Sequence, residues 1–296
     1  MMTGTETSPA AQAGTVTLGG DLTVNRMGYG AMRITGHGIW GPPNDVDAAL
    51  ATLRRAVELG VNFIDTADSY GPDVSEELIA QALRPYPSGL VIATKAGWTR
   101  HGPGVWQHDA SPAHIQRAIE GSLKRLRLER IDVYQLHVPD PAVSFDASVE
   151  TLARLKEQGK IRHVGLSNVT LEHIKRAQKI VSIVSVQNRY SFSDREWDFV
   201  VDYCEANGIA FLPWGPMAQG RKANEVMERI AAARKVSTAV LSLAWLLRRS
   251  PVMLPIPGTG SVKHLEENVS AAAFRLTDAE FAELGAIVPK PYWLRG

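Results

Sequence analysis

The chain has 296 residues, 45% of them hydrophobic and 21% charged, with a formal net charge of +1. That length buries most of its unfolded surface without staples, and the balanced charge offers no positive field to gather the phosphates of a nucleic acid. Cys204 is the one cysteine, which excludes an intramolecular disulfide and a thiolate metal cluster and suits a reducing, cytoplasmic setting.

Residues 1–14 are rich in Thr, Ala, Ser and Gly, without a basic start or an apolar run. They are expected to be a disordered tail rather than a signal peptide, leaving residues 15–296 as a single domain. A small hairpin is expected at Val16–Leu18 and Leu22–Val24, turning at Gly19-Gly20-Asp21. Short apolar runs then predict strands at Met27–Met32, Asn62–Asp65, Leu90–Thr94, Val133–His137, His163–Leu166, Ile183–Gln187, Ala210–Pro213 and Met253–Ile256.

Helical spacing fills the intervals. Val46, Leu50, Leu53 and Val57 share a face before the stop at Gly60. Ile115, Ile119, Leu123 and Leu126 follow Ser111-Pro112, a capping residue with proline at the first helical position. Val149, Leu152 and Leu155 end at Gly159; Leu171, Ile174 and Ala177 start after Thr170; Phe199, Val200 and Tyr203 end at Asn207-Gly208. The run near Val240–Leu247 is the longest strongly apolar stretch, far short of the ~20 residues that span a bilayer, so no membrane partner is expected.

Eight strands alternating with helices imply parallel βαβ units, because each crossover needs a helix to return the chain. A doubly wound sheet is the competing architecture, but no G-x-G-x-x-G follows any strand: Gly28-Tyr29-Gly30 begins one and Arg33 stands where the third glycine belongs. The expected fold is therefore an α/β, (β/α)8 TIM barrel with the N-terminal β-hairpin closing the barrel floor.

A barrel presents its chemistry at the C-terminal ends of its strands. There the second, third and fourth strands deliver Asp65, Lys95 and His137, with Tyr70 five residues past the aspartate. A phenol is a poor acid at neutral pH. A nearby ammonium lowers its pKa, a carboxylate keeps that ammonium charged, and an imidazole can orient a substrate oxygen toward the phenol. The set reads as a tuned general acid beside a carbonyl. It has no electron source of its own, so a hydride-donating cofactor is required.

These four residues, in this order and on these strands, resemble the catalytic tetrad of the aldo-keto reductases. The resemblance extends over about Val16 to Leu284. It is closest to the bacterial branch that includes pyridoxal reductases, on the evidence of Met27–Met32, Gly41-Pro42-Pro43, Gly165–Thr170 and Ile256–Thr259. It implies NAD(P)H-dependent reduction of an aldehyde or ketone, with NADPH the expected cofactor and NADH the second choice. By resemblance, Ser167, Asn168 and Gln187 hold the nicotinamide carboxamide, and such side chains do offer the donors and acceptors an amide needs. Trp214 takes the place of the ring that stacks on the nicotinamide, and Gly215, Pro216 and Met217 line the pyrophosphate path. Gly30, Met32 and Asp65 border the cofactor. Gly258, Thr259, Lys263, His264, Glu267 and Asn268 form the adenosine-phosphate end, where a Gly/Thr/Ser loop at a helix N-terminus can cradle a phosphate.

Two departures bear on specificity. Gly258 and His264 stand where many relatives carry lysine and arginine for the adenosine 2′-phosphate, which leaves Thr259, Ser261, Lys263, His264 and Arg221-Lys222 to bind it. The short tail Pro289–Gly296 leaves little chain to close over a bulky substrate. Trp40, Trp98 and Trp106, with His137, are the expected substrate wall, suited to a flat aromatic aldehyde such as pyridoxal. A metal-dependent barrel hydrolase would need several converging ligands that the early strands do not supply, so no metal is expected. A nicotinamide-nucleotide sensor with little turnover is the alternative function.

Overall fold

The computed structural model describes residues 7–216 and 221–287. β1 (Thr15–Leu18) and β2 (Leu22–Asn25) pair antiparallel, with Val16 opposite Val24. β3 (Tyr29–Gly30), α1 (Val46–Glu58), β4 (Phe63–Asp65), α2 (Val74–Leu83) and β5 (Val91–Ala96) follow. A second hairpin, β6 (Trp98–Gly102) and β7 (Val105–His108), then leaves the sheet. The alternation resumes with α3 (Pro112–Leu126), β8 (Ile131–Leu136), α4 (Phe145–Glu157), β9 (Ile161–Ser167), α5 (Leu171–Ala177), β10 (Ile183–Gln187), α6 (Asp198–Ala206) and β11 (Ala210–Phe211). The chain continues in α7 (Arg221–Arg234), α8 (Thr238–Arg249), α9 (Val262–Ser270) and α10 (Asp278–Gly285).

Seven strands form one parallel, curled sheet in the order β3-β4-β5-β8-β9-β10-β11. The segment expected as the eighth strand bonds to both edges of that sheet. Leu254 donates to the Phe211 carbonyl at 2.8 Å, and Gly28 donates to the Pro255 carbonyl at 2.9 Å. Its pairing is sparse because Pro255 and Pro257 have no N–H to give to a ladder.

Strand side chains alternate between two apolar layers, as a period of two requires. Phe63, Val91, Ala93, Val133, Val184, Ala210, Leu212, Leu254 and Ile256 form one cluster with Val16, Leu18, Leu22 and Val24 of the first hairpin. Ile64, Ile92, Tyr134, Val164 and Val186 face the other way, into the larger core shared with the helices. Ser111, Thr170, Ser237, Ser261 and Thr277 each cap a helix by accepting from a backbone N–H of its first turn.

Three expectations need correction. Within the supposed tail, residues 9–13 form a 3-10 turn, with Ala10 buried and donating to the Leu59 carbonyl at 2.9 Å. α2 had no counterpart among the expected helices. It buries Ser75 and Glu76 beside Leu78, Ile79 and Leu83, so its buried polar residues hide the apolar period. The β6–β7 hairpin after Lys95 likewise has no counterpart among the expected elements. Among the described residues no single helix is long and apolar enough to cross a membrane, and no group of three or more His, Cys, Asp or Glu is placed to hold a metal.

Candidate active site

The sheet alternation that buries Phe63, Ala93 and Val133 carries the next inward positions, Asp65, Lys95 and Gln135, to the strand ends, with His137 beyond them. Lys95 is fully buried and donates to Asp65 Oδ2 at 2.6 Å and to the Thr66 carbonyl at 2.8 Å. The other oxygen of Asp65 accepts from Gln135 Nε2 at 3.0 Å and Gln187 Nε2 at 2.8 Å. A buried carboxylate with an ammonium and two amides is fully engaged, the condition under which a buried charge is tolerable.

Gly165 makes room for this arrangement. A Cβ there would lie 2.3 Å from Ser185 Oγ and 2.8 Å from Gln135 Cγ. Gly165→Ala is therefore expected to displace Gln135 and cost roughly 1–3 kcal/mol by overpacking. Urea denaturation checks this, and an unchanged midpoint would show that the neighbours yield freely.

Tyr70 packs its ring edge-on against His137, centroids 5.7 Å apart, and against Trp106 at 6.5 Å. Lys95 Nζ is 5.2 Å from the centre of the Tyr70 ring. Burial raises the Tyr70 pKa, and the opposing pull of the Lys95 charge does not cancel it. The phenol is thus a protonated group at neutral pH rather than an acid tuned below its usual value. Burial would lower the Lys95 pKa, but its interactions with the Asp65 carboxylate and, after that, with the Tyr70 hydroxyl outweigh it, and the ammonium is held above its usual range. Burial, reinforced by the Lys95 charge, holds His137 well below the usual imidazole range, so it is neutral, with Nδ1 3.4 Å from Ser69 Oγ. The cluster can keep a proton on the phenol, and its neutral imidazole can hydrogen-bond a substrate oxygen.

These groups open into a cleft of about 730 Å³. Tyr70, His137, Trp98 and Trp106 line one part of it; Gly30, Met32, Asp65, Ser167, Asn168, Gln187, Trp214, Gly215 and Pro216 line the rest. Asn168 adopts a left-handed backbone with φ 55°. Its amide donates to the His137 carbonyl at 2.9 Å and accepts from Trp214 Nε1 at 3.0 Å, tying the exposed indole to the site. Gly258 lines this cleft and also a second one of about 500 Å³, where Thr259, His264, Glu267 and Asn268 lie.

Two expected site residues are not brought in. Trp40 does not line the cleft; its ring lies 5.9 Å from Arg100 Cζ. Lys263 is exposed on α9 and lines neither cleft. Met217 lies outside the described residues. Four contributors were not anticipated: Gln135 beneath Asp65, Ser69 beside His137, Arg33 on the cleft wall, and Arg100 behind Trp106. Gln135 was legible in principle, because Val133, Gln135 and His137 share one strand face at a spacing of two.

At the C-terminal rim of a parallel sheet with helices in its connections, a lysine–carboxylate pair thus lies behind a buried tyrosine. The chain belongs to the Aldo/keto reductase family, whose sequence pattern matches residues 26–289. It is 50% identical over 277 residues to an uncharacterized oxidoreductase of Schizosaccharomyces pombe, covering 93% of this chain and 90% of that protein. It is 41% identical over 275 residues to the pyridoxine 4-dehydrogenase of Escherichia coli, covering 90% of this chain and 96% of that protein. Among solved structures it superposes on the glycerol dehydrogenase of Gluconobacter oxydans with a TM-score of 0.83 at 27% identity, covering 94% of this chain and 97% of that one. An aldo/keto reductase of Klebsiella pneumoniae in complex with NADP and acetate superposes with a TM-score of 0.78 at 27% identity, covering 94% and 96%. The family's chemistry is NAD(P)H-dependent carbonyl reduction.

The clefts fit that cofactor. A Cβ on Gly30 would lie 2.6 Å from the Ile256 carbonyl, and one on Gly258 2.8 Å from the Gly30 carbonyl, so glycine at both positions lets these two cleft-lining segments pack backbone against backbone. Ser167, Asn168 and Gln187, whose side chains can hydrogen-bond an amide, and the flat exposed indole of Trp214 stand at one end, and a capped helix N-terminus at the other.

Proposed function

We propose that this chain reduces an aldehyde of planar, aromatic type, pyridoxal being the leading candidate, with Tyr70 donating the proton to the carbonyl oxygen. The observation that carries the reading is Tyr70 on the cleft wall, with the Lys95–Asp65 pair behind it and neutral His137 beside it. When bound, the reduced nicotinamide supplies the hydride. His137 holds the carbonyl oxygen toward the phenol, and Lys95 stabilises the phenolate left after proton transfer. Asp65 keeps Lys95 charged and in place.

Ser167, Asn168 and Gln187 would hold the carboxamide, Trp214 would cover the ring, and Gly215 and Pro216 would flank the pyrophosphate. Thr259, His264, Glu267 and Asn268 would hold the adenosine end, with NADPH preferred over NADH. The indoles Trp98 and Trp106 favour a flat substrate, and the pyridoxine 4-dehydrogenase relative points to the same class. The architecture is read as a (β/α)8 barrel, supported by the bonds from residues 254 and 255 to both sheet edges. The β1–β2 hairpin is read as its floor, supported by the apolar cluster it shares with the strands.

The test is a fluorescence titration with NADPH and NADH, followed by nicotinamide absorbance with pyridoxal and a panel of small aldehydes. Binding with aldehyde-dependent oxidation is expected. Binding without turnover on any carbonyl would instead favour a nucleotide sensor, and absence of binding would remove the reading altogether.

A further inference from the structure

The β6–β7 hairpin carries Trp98 and Trp106 of the cleft wall, yet among the described residues its strands pair only with each other. Isolated two-stranded hairpins are marginal in water, so something outside the ladder must hold this one at the rim. Arg100 is placed to do so. It is 8% exposed and forms no ion pair with a carboxylate among the described residues. Instead its guanidinium spends its five N–H donors on backbone carbonyls.

Nε donates to Val105 at 3.1 Å and Nη2 to Gly102 at 3.4 Å, both within the hairpin or its turn. Nη2 also donates to Gly38 at 2.8 Å, and Nη1 to Ile39 at 2.7 Å, in the segment that follows β3. The remaining bond runs from Nη1 to the carbonyl of Ser69, the residue before Tyr70, at 3.0 Å. The face of the same guanidinium lies 3.8 Å from the centre of the Trp106 ring, and Trp106 packs edge-on against Trp98 at 5.8 Å. One side chain thus joins the hairpin to the segment after β3 and to the turn bearing Tyr70, while backing the indole that faces the cleft.

We propose that Arg100 is a positioning residue that fixes the Trp98–Trp106 wall against Tyr70, and so selects planar aromatic carbonyls over aliphatic ones. The inference rests on the reading of the cleft as the carbonyl site. A planar fork is required for it, since a lysine ammonium has three donors and no flat face to lay on an indole.

The experiment compares wild type with Arg100→Met and Arg100→Lys, using pyridine-4-carboxaldehyde and propanal as substrates and amide hydrogen exchange over residues 97–108 as an activity-independent readout. Arg100→Met is expected to raise KM for the aromatic aldehyde roughly 5- to 10-fold, within the range that one aromatic packing contact covers. The propanal KM, the kcat values and the Kd for NADPH should stay within about 2-fold, and exchange should accelerate across the hairpin. Arg100→Lys should fall between the two and keeps the test alive if the methionine variant does not fold. Unchanged exchange in both variants would overturn the clamp. Accelerated exchange with an equal loss on both aldehydes, or a loss in kcat alone, would overturn the role in selectivity. If wild type reduces neither aldehyde, the reductase reading falls while the exchange data still decide the clamp.

Discussion

Tyr70→Phe is expected to lower kcat for carbonyl reduction by about 10²–10⁴-fold, with the Kd for nicotinamide nucleotide nearly unchanged. The substitution keeps the ring that packs against His137 and Trp106 and removes only the hydroxyl, so the loss should fall on proton transfer. Single-turnover absorbance at the nicotinamide band separates that step from nucleotide binding, and a variant as fast as wild type would disprove the proton-donor assignment. A pH profile sharpens the test. Burial raises the Tyr70 pKa and burial lowers that of His137, so neither group changes charge near neutrality. Wild-type kcat for reduction should be flat between about pH 6 and about pH 8, the span in which an unperturbed histidine would titrate.

Lys95→Met should destabilise the fold by roughly 3–5 kcal/mol, the usual cost of stranding one partner of a buried ion pair. The Asp65–Lys95 contact is 2.6 Å between side chains that are 3% and 0% exposed. Asp65 would lose its ammonium but keep the Gln135 and Gln187 amides, which argues for the lower end of that range. Activity should fall as well, because the phenolate left by Tyr70 would lose its stabilising cation. The pH dependence has a definite sign. The Lys95 pKa is raised in the folded state, so its contribution to stability is full below the unfolded value of about 10.4 and is lost as pH rises through the folded value. Wild type should therefore weaken on the alkaline side, and the gap between wild type and Lys95→Met should narrow there. Urea midpoints at neutral and alkaline pH measure both effects; coincident midpoints at neutral pH would show that the pair contributes nothing net.

The alternation of strands and helices was legible because burial writes itself into sequence with periods of two and 3.6. Seven expected strands appear within a few residues of their expected bounds, and the eighth is present as a proline-interrupted segment bonded to both edges. α2 escaped because Ser75 and Glu76 occupy buried positions, which a hydrophobic pattern cannot report. Glu76 is tolerated there through Thr94 and Arg125, hydrogen-bonded at 2.5 and 2.7 Å, and those partners are distant in sequence.

The candidate site divides along the same line. By itself the sequence determined which residue types stand at the strand ends: Asp65 and Tyr70, Lys95, His137, Ser167 with Asn168, and Gln187. It did so because strand register and the position of each end are local properties of the chain. Only the tertiary structure decided what those residues do to one another. Burial, not the lysine, sets the direction of the Tyr70 shift. Gln187, read as a carboxamide ligand, also donates to Asp65. Trp40 lies off the cleft wall, beside Arg100, which reaches carbonyls from residue 38 to residue 105. These are sums over groups far apart in the chain, fixed by desolvation and long-range hydrogen bonding, and no local pattern encodes them.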